Sequence, residues 1–193
     1  DAKAIAASLP AGASLLLQAG QIGHWDTSIA AFVRSLDQAV GAGGGYLWSK
    51  NMQEQRAAME QATQGSGVSV SQTSDNQLKL EIPSDISFDS GSYQLKSNLR
   101  PILDRFAVTL NQNPVTNITI IGHTDNTGSD AVNNPLSVNR AAATRDYLVA
   151  RGVATNRIAI DGRGPREPVA DNATAAGRAM NRRVEIFVAE AAR

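Results

Sequence analysis

Cysteine is absent from the sequence, which excludes a disulfide framework, a thiolate metal site and a cysteine nucleophile. Histidine is nearly as scarce, with two in 193 residues, and His123 has no second ligand at metal spacing. No metal or other cofactor is expected. Net charge is also missing: 18 basic and 18 acidic residues balance, so no overall field would draw nucleic acid or an anionic membrane surface. Nucleic acid is therefore set aside as a partner. Long apolar runs are lacking as well. Residues 29–48 come nearest to a membrane span, and Arg34, Asp37 and Gln38 interrupt them. A soluble chain is expected, with any export or anchoring element lying ahead of it.

What is present is concentrated toward the C-terminal end. Residues 134–193 hold ten basic side chains, all arginine, against six acidic ones; arginine suits planar carboxylate recognition and half-buried ion pairs better than lysine. The most informative stretch is Gly122-His123-Thr124-Asp125, followed by Leu136-Ser137-Val138-Asn139-Arg140. Residues 118–121 read as a short buried strand and residues 136–150 carry helical periodicity, so Asp125 ends the strand and Arg140 falls near the helix start. The connection over residues 123–134 is about twice the usual strand-to-helix loop, a length that points to function. A guanidinium offers forked donors to a carboxylate while an aspartate attracts an ammonium. The pair facing one crevice would suit an amino-acid head group.

The chain divides near residue 66. Residues 1–65 read as a helical N-terminal segment: Asp26 or Thr27 caps a helix with Ile29, Phe32, Val33, Leu36 and Val40 on one face, and glycines 41–45 end it. A second helix is expected over 46–63, with Trp48, Met52 and Met59 sharing a face. The polar run 65–77 reads as a junction. Residues 66–193 form the second unit. There Leu78, Leu80 and Ile82 alternate as in a strand that Pro83 ends. Ser97 is a candidate cap for a helix carrying Leu99, Ile102, Leu103, Phe106 and Leu110, stopped by Asn113-Pro114. Asn134-Pro135 would open the next helix as cap and first-turn proline, and Gly152 end it. Ile158 and Ile160 mark a third strand, 177–182 a short helix, and Val184, Ile186 and Val188 a fourth strand alternating with Glu185 and Phe187. Strands alternating with helices give an α/β sandwich of two layers.

Phe88-Asp89, Gly122-His123-Thr124-Asp125, Asn133 through Leu136-Ser137 to Arg140-Ala141, Gly152-Val153, Gly162-Arg163-Gly164 and Asn181-Arg182-Arg183-Val184-Glu185-Ile186 together resemble the OmpA-like peptidoglycan-binding domain, over residues 77–189. A GC-rich genome would account for many arginines but not for Arg140, Arg182 and Arg183 standing on motif positions. The resemblance implies an α/β (α+β) sandwich of β-α-β-α-β-α-β order with a four-stranded mixed sheet. It also implies non-covalent binding of peptidoglycan, with the stem-peptide diaminopimelate held by Asp125 and Arg140, and a place in the periplasm as part of an outer-membrane or envelope protein. The alternative is the periplasmic wall-binding domain of a MotB-like flagellar stator.

An enzyme is not expected, since His123, Asp125 and Ser137 lack base-to-nucleophile geometry. Around the pair, Thr124, Asn133 and Leu136 are second-rank ligand contacts. Asp89 serves either the turn or the ligand, Phe88 belongs chiefly to the core, and free N–H groups at 87–90 could meet a second ligand carboxylate. Of Arg182 and Arg183, one is expected to face the site, and Arg183 is taken as that one. An ion pair between Arg140 and Asp125 is a further expectation for the empty site. Residues 1–64 are left as a homodimerising arm, a docking site for an envelope partner or a spacer.

Overall fold

The computed structural model describes residues 50–190; the expected helix after Asp26, the glycine run and Trp48 lie outside them. Helix α1 (Lys50–Thr63) is followed by strands β1 (Ser69–Gln72) and β2 (Leu78–Pro83), the single turn α2 (Ser84–Ser87), helix α3 (Arg100–Gln112) and strand β3 (Thr116–His123). Helix α4 (Asp130–Ala150), strand β4 (Ile158–Gly164), helix α5 (Ala175–Asn181) and strand β5 (Arg183–Glu190) complete the order. The sheet runs β1-β2-β5-β3-β4, with β3 and β4 parallel and the other neighbours antiparallel.

Period-two alternation explains the core. Leu78, Leu80 and Ile82 of β2, Ile118 and Ile120 of β3, and Val184, Ile186 and Val188 of β5 are all buried, on the face that receives Leu103, Phe106 and Leu110 of α3 and Ala141 and Leu148 of α4. The opposite residues of β5 do not simply face water. Glu185 is 6% exposed, held between Lys79 and Arg183 at 2.9 and 2.8 Å.

Five strands form the sheet where four are expected. The extra one is β1, in the run read as a polar junction: Val70 sits opposite Leu80, and a tight turn closes the hairpin where Thr73 N–H donates to the Gln77 carbonyl and Asn76 takes a positive φ of 62°. A four-residue edge strand with one half-buried apolar side chain leaves almost no alternation to read. Helix α1, which the expected boundary near residue 66 leaves outside the second unit, belongs to the same compact unit as the sheet. Met52 and Met59 are fully buried and Gln55 Nε2 donates to Thr109 Oγ1 of α3 at 3.5 Å, so α1 packs as part of the sandwich.

Two helix starts differ from expectation. Leu99, not Ser97, stands at the N-cap of α3, with Pro101 tolerated in the first turn. Helix α4 begins at Asp130, after Ser129, and Pro135 lies inside it. The loop from Thr124 to Ser129 is therefore of ordinary length. As the sixth residue of the helix, Pro135 has no N–H to give the Ala131 carbonyl one turn back, and Ala131 is exposed, so that carbonyl is open to water.

Candidate functional site

The site is built where α4 lies against β3 and β4 with almost no space between backbones. A Cβ on Gly122 would fall 2.0 Å from the Ser137 carbonyl oxygen, and one on Gly162 would fall 2.5 Å from Val138 Cγ2. Ser137 Oγ accepts from Gly164 N–H at 3.0 Å. These close approaches fix the height of α4 on the sheet, and with it Arg140. That arginine is not near the helix start: it stands ten residues after Asp130, about 15 Å along the axis.

Arg140 is 2% exposed. Its Nε donates to the Ser92 carbonyl at 3.0 Å, Nη1 to Ser84 Oγ at 3.4 Å and Nη2 to the Asp89 carbonyl at 3.4 Å, and Cζ sits 5.1 Å from the Phe88 ring centroid. All its acceptors are neutral. Among the described residues no carboxylate lies within ion-pair distance of it. Burial, and then the Arg182 charge, pull the Arg140 guanidinium below its ordinary value, against the opposing charge of Asp125.

The expected Arg140–Asp125 pair is not formed. Asp125 Oδ2 accepts from Arg182 Nη1 at 2.7 Å, and Oδ1 accepts from Thr127 N–H at 2.8 Å. Burial would push the Asp125 carboxyl up, but the hydrogen bonds from Arg182 and Thr127 bring it below the usual carboxylate range. Arg182 reaches the other way too, with Nη2 3.4 Å from Asp85 Oδ1. Asn133 Nδ2 donates to the carbonyls of Thr127 and Asp125 at 2.9 and 3.5 Å, so it holds the loop that carries Asp125. Thr124 N–H donates to the Gly164 carbonyl at 3.0 Å, while its hydroxyl is buried without a hydrogen-bond partner among the described residues.

A cavity of about 330 Å³ opens above Arg140, lined by Ser84, Asp85, Phe88, Asp89, Ser90, Lys96, Arg140 and Arg182. Of the residues expected at the site, Arg140, Phe88 and Asp89 line it. Asp125 stands behind Arg182. Leu136 is half-buried on α4 outside the lining, and Thr124 and Asn133 act through the loop.

Arg183 is the clear correction. It is 3% exposed and points to the opposite side of β5, where Nε meets Glu185 Oε1 at 2.8 Å and Nη1 and Nη2 donate to the Glu167 carbonyl at 3.3 and 3.2 Å. Its neighbour Arg182 takes the place at the site. The signal was present: Val184, Ile186 and Val188 face the helices, so the same parity carries Arg182 to the helix side and Arg183 away. Asp85 and Lys96 were also unforeseen, and no motif marks them. Lys96 Nζ donates to the Asp85 carbonyl at 2.9 Å and lies 3.2 Å from Asp89 Oδ1. Tertiary closure of the 88–96 loop, through the Phe88–Leu95 bridge, brings them together.

His123 is 1% exposed, with Nε2 3.6 Å from Glu185 Oε2. It belongs to the charged cluster on the far face of the sheet rather than to the cavity. Among the described residues no group of three His, Asp or Glu side chains could hold a metal ion, and no helix is long and apolar enough to cross a membrane.

Residues 87–182 match the model of the OmpA family. The chain is 40% identical over 147 residues to the probable lipoprotein YiaD of Escherichia coli, covering 76% of this chain and 65% of that protein. It is 56% identical over 87 residues to the peptidoglycan-binding protein ArfA of Mycobacterium tuberculosis, covering 45% of this chain and 27% of that protein. The chain thus spans less than two thirds of either relative. The solved structure of the cell wall anchor of the T6SS from Pseudomonas aeruginosa superposes with a TM-score of 0.63 at 33% identity, covering 70% of this chain and 96% of that one.

Proposed function

The chain belongs to the OmpA family, and on that footing we propose that its cavity binds peptidoglycan non-covalently, through the diaminopimelate head group of the stem peptide. One observation carries the reading: a guanidinium 2% exposed, with neutral acceptors only, at the floor of an open cavity. A buried cation without an acid is costly unless an anion completes it. A ligand carboxylate reaching Arg140 would do so, aided by the planar fork that a guanidinium presents. The ammonium on the same ligand carbon would lie toward Arg182, where Asp125 and Asp85 supply negative charge. The peptidoglycan binding in ArfA's name and the wall anchoring in that of the T6SS protein support the same ligand class. The role that follows is attachment of an envelope protein to the wall from the periplasm, without catalysis.

Pull-down of the full chain by purified sacculi tests this. Arg140→Ala should lower the bound fraction by about tenfold or more, since removing one member of a desolvated charge pair costs roughly 2–5 kcal/mol. Undiminished binding by that variant would sink the assignment.

A further inference from the structure

The charges around the cavity are unequally distributed, and the inequality says which acid a ligand amine meets. At the floor stands Arg140, one cation with no acid within ion-pair distance among the described residues. On the rim, Lys96 and Asp89 are paired at 3.2 Å and cancel each other. On the remaining side a single cation, Arg182, bridges two acids, Asp125 at 2.7 Å and Asp85 at 3.4 Å. That side carries an excess of one negative charge, opposite a floor with an excess of one positive charge.

The two acids are not equivalent. Asp125 is buried behind Arg182, and both of its oxygens already accept hydrogen bonds. Asp85 lines the cavity itself, with a side chain 64% exposed and only the long contact to Arg182. We infer that Asp85 is a second amine-binding acid of the site, the one that reads whether the ligand's amino group is free and charged. This rests on the wall-ligand reading above. The chemistry recognised is a zwitterionic α-amino-acid head: carboxylate on Arg140, ammonium between Asp85 and the Arg182–Asp125 pair. Asp85 reaches this position because α2 is a single turn immediately after β2, and Ser84 N–H donates to the Arg182 carbonyl at 2.9 Å. The acid and the arginine are thereby held on adjoining backbones.

Calorimetric titration of the full chain separates this inference from the reading beneath it. Two probes serve: a soluble disaccharide stem peptide carrying diaminopimelate with its amine free, and the same compound acetylated on that amine. The wild-type chain should bind the free amine about tenfold more tightly. Asp85→Asn should shrink that ratio to about threefold or less by weakening only the free-amine compound, and Asp85→Glu should keep the preference. An unchanged ratio, or equal losses for both compounds, overturns the inference while Arg140→Ala still weakens binding of both by about tenfold or more. A wild-type chain that binds neither compound overturns the wall-ligand reading and this inference with it. Free diaminopimelate is the third probe: weaker binding than the stem peptide by about tenfold supports the wall as source, and equal affinity overturns it in favour of a free amino acid.

Discussion

Arg140 and Arg183 are buried to nearly the same degree, 2% and 3% exposed, yet they sit in opposite electrical situations. Arg183 lies beside Glu185 at 2.8 Å, in a cluster that also takes in Lys79, His123 and the Glu167 carbonyl. Arg140 has three neutral acceptors and an aromatic face. Burial of a guanidinium therefore does not mark a binding site. On the proposed reading, what separates a brace from a receptor is whether the fold itself supplies the counter-charge.

The largest effect should come from breaking the compensated member. Arg183→Met strips a desolvated partner from Glu185 and should lower unfolding free energy by roughly 3–5 kcal/mol in denaturant titration; a loss under about 1 kcal/mol would show that Lys79 alone satisfies the acid. For the uncompensated member the effect should fall on binding. Arg140→Met, which keeps an apolar stem against Phe88, should hold stability within about 1 kcal/mol while sacculus binding drops about tenfold or more. Arg140→Lys should recover part of that binding and not all, because an ammonium cannot form the planar fork.

Acid should weaken the compensated side selectively. Burial pushes the Glu185 carboxyl up, but His123, Lys79 and Arg183 outweigh it and hold the group well below its ordinary value of 4.5. A folded value lowered in this way stabilises fully above pH 4.5 and loses that contribution as pH falls through the folded value. Thermal midpoints should thus decline more steeply below pH 4.5 in the wild type than in Glu185→Gln; parallel curves would remove Glu185 as the source. The smallest effect belongs to the rim. Lys96→Met breaks a pair with exposures of 32% and 79%, so a stability change of less than about 1 kcal/mol is expected in the same titration.

Much of this architecture was legible in the pattern of side chains. Alternation at Leu78, Leu80 and Ile82, and again at Val184, Ile186 and Val188, marks the strands whose faces are half core, and the stripe Ile102, Leu103, Phe106 and Leu110 marks α3. Legibility failed where local chemistry and tertiary closure disagree. Asn134-Pro135 has the composition of a helix start, yet α4 begins at Asp130, because the Asn133 side chain ties the preceding loop down. The edge strand β1 offers one apolar side chain, too few for a period. At the site, Asp125 and Arg140 are marked by their motif, but the acid's partner is Arg182.

Sequence alone determined the two-layer alternation, the family motifs and the presence of an acid just after β3 and an arginine on α4, because these depend on local periodicity and residue type. Only the tertiary structure decided which arginine is left without a counter-charge. Compensation depends on what β5, α2 and the 88–96 loop bring within a few ångströms, and contacts between residues 57 or 97 positions apart, as in Asp125–Arg182 and Asp85–Arg182, are created by folding rather than by spacing along the chain.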